Sequence, residues 1–307
     1  MTNIVDMNSK PTAIERIGLM LDNKEITGAK LARELGISTS TLSQVKNGTY
    51  AADTTAIEEK LSAWLDMRAQ KAVATDPGFV MTETARQIQA DISFANATNS
   101  IVVIHGASGV GKTKAAAYYQ RHNPNVWMIT ASPSRATMTE CLYELAMALG
   151  MEQAPRLRGP LARAIRRRLA GTEGLLIVDE ADHISYDTLE ELRILAEEAE
   201  IGMVLIGNSK VYTQLTGGSR SEDFARLFSR IAKKRALTKT KREDVRAVAR
   251  AWDISGDDEL ATMIQIAERP GGLRLLNKTL RLSLTAANGE PITNALLRRA
   301  FKELEGE

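Results

Sequence analysis

Apolar residues along this chain recur with two different periods, and the change of period marks its organisation. Up to about residue 68 they repeat at helical spacing. Leu31, Ala32 and Leu35 share one face, Leu42 and Val45 follow after Gly36, and Ile57, Leu61, Trp64 and Leu65 form a third stripe. This pattern predicts a helix-turn-helix over residues 30–48, with Gly36 permitting the tight turn, Ser38 or Thr39 capping the second helix, and a further amphipathic helix closing a domain at residues 1–68. Residues 69–80, which include Thr75-Asp76-Pro77-Gly78, have no clear period and are expected to form a linker. Between residues 81 and 240, continuous apolar runs at 101–105, 126–130, 175–179 and 203–207 alternate with helical stretches, as in a mostly parallel sheet covered by helices. From 241 to 307 only helical periodicity remains, around 243–252, 259–267, 273–286 and 292–304, which predicts a small all-helical domain. The expected fold class is therefore α/β, with a helical domain on each side.

Composition narrows this picture only slightly. A chain of 307 residues has room for more than one domain, and 44% hydrophobic with 25% charged residues is the balance of an ordinary globular protein. The single cysteine, Cys141, excludes an intramolecular disulfide framework and fits a reducing compartment, and its neighbours Leu142, Leu145 and Ala146 suggest simple helix packing. No apolar run approaches about 18 residues, and no basic stretch leads into an apolar one at the start, so a cytoplasmic protein without a membrane span is expected.

The first apolar strand runs directly into Gly106-Ala107-Ser108-Gly109-Val110-Gly111-Lys112-Thr113, a complete G-x-x-x-x-G-K-[ST] loop. In such a loop successive N–H groups point at one anionic centre and the following helix adds its positive end. Lys112 is placed to reach the β- and γ-phosphates of ATP, and Thr113 to hold Mg²⁺. Leu175-Leu176-Ile177-Val178 then delivers Asp179 and Glu180 at the carboxyl end of another strand, where ligands of open parallel sheets bind. Asp179 is the second Mg²⁺ candidate, and Glu180 the group that orients and deprotonates the attacking water. Together these motifs indicate a P-loop NTPase. Asp179 to Asp182 also spell a tetrapeptide carried by one helicase superfamily, but too little α/β sequence follows Asn208 to build the second domain those enzymes need. His183 has no Cys/His cluster around it and is expected to be a loop or cap residue.

The run Met203-Val204-Leu205-Ile206-Gly207 ends at Asn208, and here the chain resembles the AAA+ ATPase family, which carries a polar sensor residue at this strand end. The resemblance implies an arginine finger from a neighbouring subunit, for which Arg230 is the first candidate and Arg226 the second, and a second sensor at Arg274 in Gly271-Gly272-Leu273-Arg274.

Two stretches are basic and free of acids: one holds Arg156, Arg158, Arg163, Arg166, Arg167 and Arg168, the other Arg226, Arg230, Lys233, Lys234, Arg235, Lys239, Lys241 and Arg242. Solvated helix faces would look the same. Beside a helix-turn-helix exposing Gln44 and Lys46, however, nucleic-acid phosphates are the natural partner. With only 5% aromatic residues, duplex backbone contact is favoured over base stacking. Across nearly its whole length the chain resembles the MuB family of target-DNA activators from transposable phages and Mu-like prophages, in strings such as Asn125-Val126-Trp127-Met128-Ile129-Thr130 and Glu222-Asp223-Phe224-Ala225-Arg226-Leu227-Phe228-Ser229-Arg230. That resemblance implies an ATP-dependent protein of the host bacterial cytoplasm that binds double-stranded DNA with little sequence preference and forms helical homo-oligomeric filaments on it. It further implies recruitment of a DDE transposase for strand transfer, and release from DNA on ATP hydrolysis, which underlies target immunity. Leu157 departs from the family pattern by interrupting the first basic cluster. Two other readings stay open: a helicase-loader-like remodelling ATPase, and an ATP-gated transcriptional regulator.

Overall fold

The computed structural model describes residues 12–23, 26–73, 77–209, 211 and 229–306, without the side chains of 69–73. The chain divides into two compact units, Met1–Thr75 and Asp76–Glu307.

The first unit is a helical domain of α1 (Ala13–Asp22), α2 (Gly28–Leu35), α3 (Thr39–Lys46) and α4 (Thr55–Val73). Three helices start on a hydroxyl cap: Thr12, Thr27 and Ser38 each accept the N–H three residues on, and Glu15 returns a bond to Thr12. Gly36, in the left-handed conformation, ends α2 and leads into α3. Ile17, Leu31, Leu42, Val45, Leu61 and Leu65 meet in one core. The expected linker starts later than residue 69: α4 continues to Val73, and Ala69, Gln70, Lys71 and Ala72 are good helix formers that extend a helix already nucleated.

The second unit is built on a sheet of β1 (Ile101–Gly106), β2 (Val126–Thr130), β3 (Leu175–Asp179), β4 (Gly202–Gly207) and β5 (Ile231–Leu237), ordered β2-β3-β4-β1-β5 with every pairing parallel. Strands buried on both faces explain the unbroken apolar runs. Alternate residues feed two cores. Val103, Leu176, Val178, Met203 and Leu205 pack with α7 (Met138–Ala148), α8 (Arg158–Leu169) and α9 (Tyr186–Glu198), while Val102, Ile104, Ile177, Val204 and Ile206 pack with α5 (Glu83–Ala97) and α6 (Lys112–His122). Burial pushes the Cys141 thiol, on α7, up to about 12, so it is the inert packing group expected.

Among the described residues four further helices follow β5: α10 (Arg242–Ala251), α11 (Asp257–Glu268), α12 (Gly272–Ala287) and α13 (Asn294–Glu305), around a core including Val245, Met263, Leu276, Leu280 and Leu297. This helical lid is fastened to the sheet domain by Asp244, 1% exposed, which accepts from the backbone N–H of Thr84 at 2.9 Å and its hydroxyl at 2.5 Å.

Candidate functional site

The carboxyl ends of β1, β4 and β3 lie side by side, and each delivers part of one polar site. From β1 comes the glycine loop, which passes directly into α6 at Lys112, so its backbone amides join the helix N-terminus. Lys112 Nζ donates to the carbonyls of Gly106 at 2.9 Å and Ala107 at 2.8 Å. Burial holds its pKa below the ordinary lysine value, the carboxylates of Glu180, Asp179 and Asp182 oppose that, and the charge of Arg274 adds to it. The ammonium therefore lies in the field of three carboxylates, those of the candidates Asp179 and Glu180 and that of Asp182, and of the candidate Arg274.

Asp179 ends β3 and is 2% exposed. The Thr113 hydroxyl and the backbone of Glu180 hydrogen-bond it, yet burial still raises its pKa, and Oδ2 is buried with no hydrogen-bond partner. An orphaned carboxylate oxygen beside a threonine hydroxyl is a hard-oxygen donor set, which fits Mg²⁺. Glu180 follows with φ 53° and ψ 38°, a left-handed conformation that costs a non-glycine residue roughly 1–3 kcal/mol and concentrates at functional positions. It opens a 3-10 turn, Ala181–His183, in which His183 is exposed. Glu180, Asp182 and His183 each offer a ligand-type atom, all within 4.8 Å of one another. Asp182, however, is engaged by Asn208 at the end of β4, through its backbone N–H at 3.1 Å and Nδ2 at 2.6 Å. No local pattern announces the pairing of Asp182 with Asn208, because the two are 26 positions apart.

The lid meets the loop backbone to backbone. A Cβ on Gly109 would lie 1.8 Å from the carbonyl oxygen of Gly271, and Gly109 and Gly271 have φ of 82° and 104°. Both positions therefore require glycine, and the contact brings the start of α12, with Arg274 three residues on, over the phosphate loop. Arg230 is exposed at the opposite end of the sheet, with Nε 3.8 Å from Glu197 Oε1, while Arg226 lies outside the described residues.

A protein of Escherichia phage Mu, "ATP-dependent target DNA activator B", is 50% identical over 295 residues, covering 94% of this chain and 95% of that relative. The chain belongs to this activator B family. The counterpart in Escherichia phage D108 matches equally, and the "Mu-like prophage FluMu DNA transposition protein B" of Haemophilus influenzae is 48% identical over 87% of this chain and 95% of its own length. Residues 229–304 match the description "Mu B transposition protein, C terminal", and residues 95–215 match "AAA domain", which spans the loop, Asp179, Glu180 and Asn208.

For the activator family the basic positions matter next, and they separate into two kinds. Arg156, Arg158, Arg163, Arg167 and Arg168 are exposed on and before α8, around an exposed Leu157, whereas Arg166 pairs with Glu198 at 2.8 Å. The middle of the second run, Lys233, Lys234 and Arg235, lies on β5, which the sequence pattern did not reveal as a strand. Lys233 and Arg235 turn onto α5 and share the fully buried Asp91: Lys233 Nζ lies 2.6 Å from Oδ1, and Arg235 forms a forked ion pair. Burial raises the Asp91 pKa, but hydrogen bonds from Arg235 and Lys233 outweigh it and hold the carboxyl below its ordinary range. Of the DNA-contact candidates in that run, these two are therefore held against α5, where the single negative charge of Asp91 offsets one of their two positive charges. Lys241 donates to Gln87 at 3.0 Å, while Lys234 and Lys239 are exposed. In the first unit Gln44 is exposed and Lys46 pairs with Asp22 at 2.5 Å. Among the described residues no helix is long and apolar enough to cross a membrane.

Proposed function

We propose that this chain is an ATPase that binds duplex DNA with little sequence preference, assembles on it as a filament, recruits a transposase to it, and is released when ATP is hydrolysed. The observation that carries this reading is the convergence of Lys112, the Thr113–Asp179 pair and the Asn208–Asp182 pair at one end of the sheet, in a chain half identical to a target DNA activator.

Each group has a task in phosphoryl transfer. The loop amides from Gly106 to Thr113 bind phosphate oxygens, and Lys112, already lowered toward its neutral form by burial, regains favourable charge against the phosphates it neutralises. Thr113 and Asp179 would hold Mg²⁺, which when bound draws charge from the phosphate oxygens. Glu180, strained just beyond the strand, orients and deprotonates the attacking water. Asn208, fixed by Asp182, positions that water or the terminal phosphate, and Arg274 approaches from the lid. Arg230 serves a neighbouring subunit, so turnover depends on assembly. DNA phosphates meet the exposed arginines from Arg156 to Arg168 and the exposed Lys234 and Lys239, a term independent of sequence.

The test is duplex binding and turnover by two variants. Lys112→Ala should lose ATP-stimulated DNA binding, and Glu180→Gln should bind ATP yet dissociate from DNA far more slowly than the parent. ATP-stimulated binding by the first variant, or normal turnover by the second, would refute the assignment.

A further inference from the structure

We infer that Glu197 is a positioning residue that aims Arg230 at the nucleotide of a second copy of this chain, an inference that rests on Arg230 being the finger. Arg230 immediately precedes β5, whose Ile231 pairs with Ile101 at the start of β1, whereas the phosphate loop leaves the far end of β1 at Gly106. At about 3.3 Å per residue, the strand separates Arg230 from its own loop by roughly 16–20 Å, so any phosphate it meets belongs to another molecule.

The surroundings of Arg230 are graded in strength. Arg193, with its side chain only 12% exposed, donates through Nε and Nη2 to Glu190 at 2.8 and 2.6 Å, and its Nη1 lies 2.5 Å from Glu197 Oε2. Its hydrogen bonds to the carboxylates of Glu190 and Glu197 raise the Arg193 pKa, and the forked pairing holds these three residues of α9 together. Glu197 is thereby held through one oxygen and presents the other, Oε1, to Arg230. The approach is to Nε, at 3.8 Å, which is an ion-pair distance without a hydrogen bond. Because Nε is the nearest nitrogen, the two terminal nitrogens, which form the outer edge of the guanidinium, lie farther from Glu197 Oε1. That edge is the one that engages a phosphate in a fork. A carboxylate tethered through its other oxygen to Arg193 biases the guanidinium from the inner side without competing for the outer side. Ser229, Arg230, Glu190 and Arg193 line a shallow polar cleft at this point, which suits contact with the polar rim of another subunit's site.

The test measures ATP turnover on duplex DNA for Glu197→Gln, Glu197→Asp and Arg230→Ala, and for an equal mixture of Glu197→Gln with Glu180→Gln. Glu197→Gln should lose about tenfold in kcat with KM for ATP unchanged, and Glu197→Asp should recover part of the loss. The mixture should turn over faster than the mean of its two components, because Glu180→Gln subunits supply an intact Glu197–Arg230 pair to competent sites. Parent-like turnover by Glu197→Gln, or a loss that mixing does not relieve, overturns the inference. Normal turnover by Arg230→Ala overturns the finger assignment as well, so the two failures are distinguishable.

Discussion

Asn208 donates to both carboxylate oxygens of Asp182, tying the end of β4 to the turn that follows β3. Asn208 is thereby held at its backbone and at its side chain, as the role proposed for it in positioning a water or terminal phosphate requires. Asp182→Ala should leave ATP affinity near the parent value and slow turnover by on the order of tenfold, since small misplacements of an orienting group are costly. Fluorescent-nucleotide binding and steady-state turnover together check this, and unchanged turnover would show that Asn208 needs no such support.

Asp179 pairs function with a cost in stability. Its Oδ2 is buried and unpartnered, and burial raises its pKa, so the ionised form is disfavoured in the nucleotide-free protein. Asp179→Asn should raise the melting temperature of the nucleotide-free protein by a few degrees, about 1 kcal/mol, while removing Mg²⁺-dependent hydrolysis. Thermal unfolding with and without Mg²⁺ and ATP separates the two effects.

The contact between Gly109 and Gly271 tolerates no side chain. In Gly109→Ala the new methyl group would force the lid away from the phosphate loop, carrying Arg274 with it. ATP affinity should fall by more than about tenfold while far-ultraviolet circular dichroism stays that of the parent, because the clash lies between two separately packed cores. Parent-like affinity would mean that lid closure contributes nothing to nucleotide binding.

Asp91 predicts an acid-sensitive seam. Its folded pKa lies below the ordinary carboxylate value, so its pairing stabilises the fold fully above about pH 4 and the contribution is lost as pH falls through the folded value. Asp91→Ala should destabilise by about 2 kcal/mol at neutral pH, less than a fully buried pair because Lys233 and Arg235 are partly exposed, at 41% and 25%. Urea titrations at pH 7 and pH 3 should show the difference between parent and variant shrinking in acid.

Much of this was legible in the sequence, for physical reasons that also explain what was not. Strands β1, β3 and β4 are buried on both faces and read as apolar runs, as does the edge strand β2, and a phosphate loop needs glycines at fixed spacing, so both were visible residue by residue. β5 was hidden because its inward residues, Lys233 and Arg235, are charged, and their partner Asp91 lies 144 positions from Arg235. Lys46 reads as a free charge on a recognition helix until Asp22 is seen beside it. Asp182, Glu197 and Gly271 act through residues distant in sequence, and no local pattern announces such pairings.

The division of the basic residues can be tested by salt. Replacing Arg156 and Arg158 together by Ala should weaken duplex binding and reduce the slope of log affinity against log salt by about 2, whereas Lys233→Ala should lower stability and leave the slope nearly unchanged. Equal slopes for the parent and the double variant would remove these arginines from the DNA interface.

Sequence-independent, ATP-dependent DNA binding is tested most directly by equilibrium binding to two duplexes of unrelated sequence, with ATP and without nucleotide, across a range of salt. Affinities for both duplexes should be similar, with a marked gain on adding ATP and steep weakening with salt. A strong preference for one duplex, or binding indifferent to ATP, would contradict it.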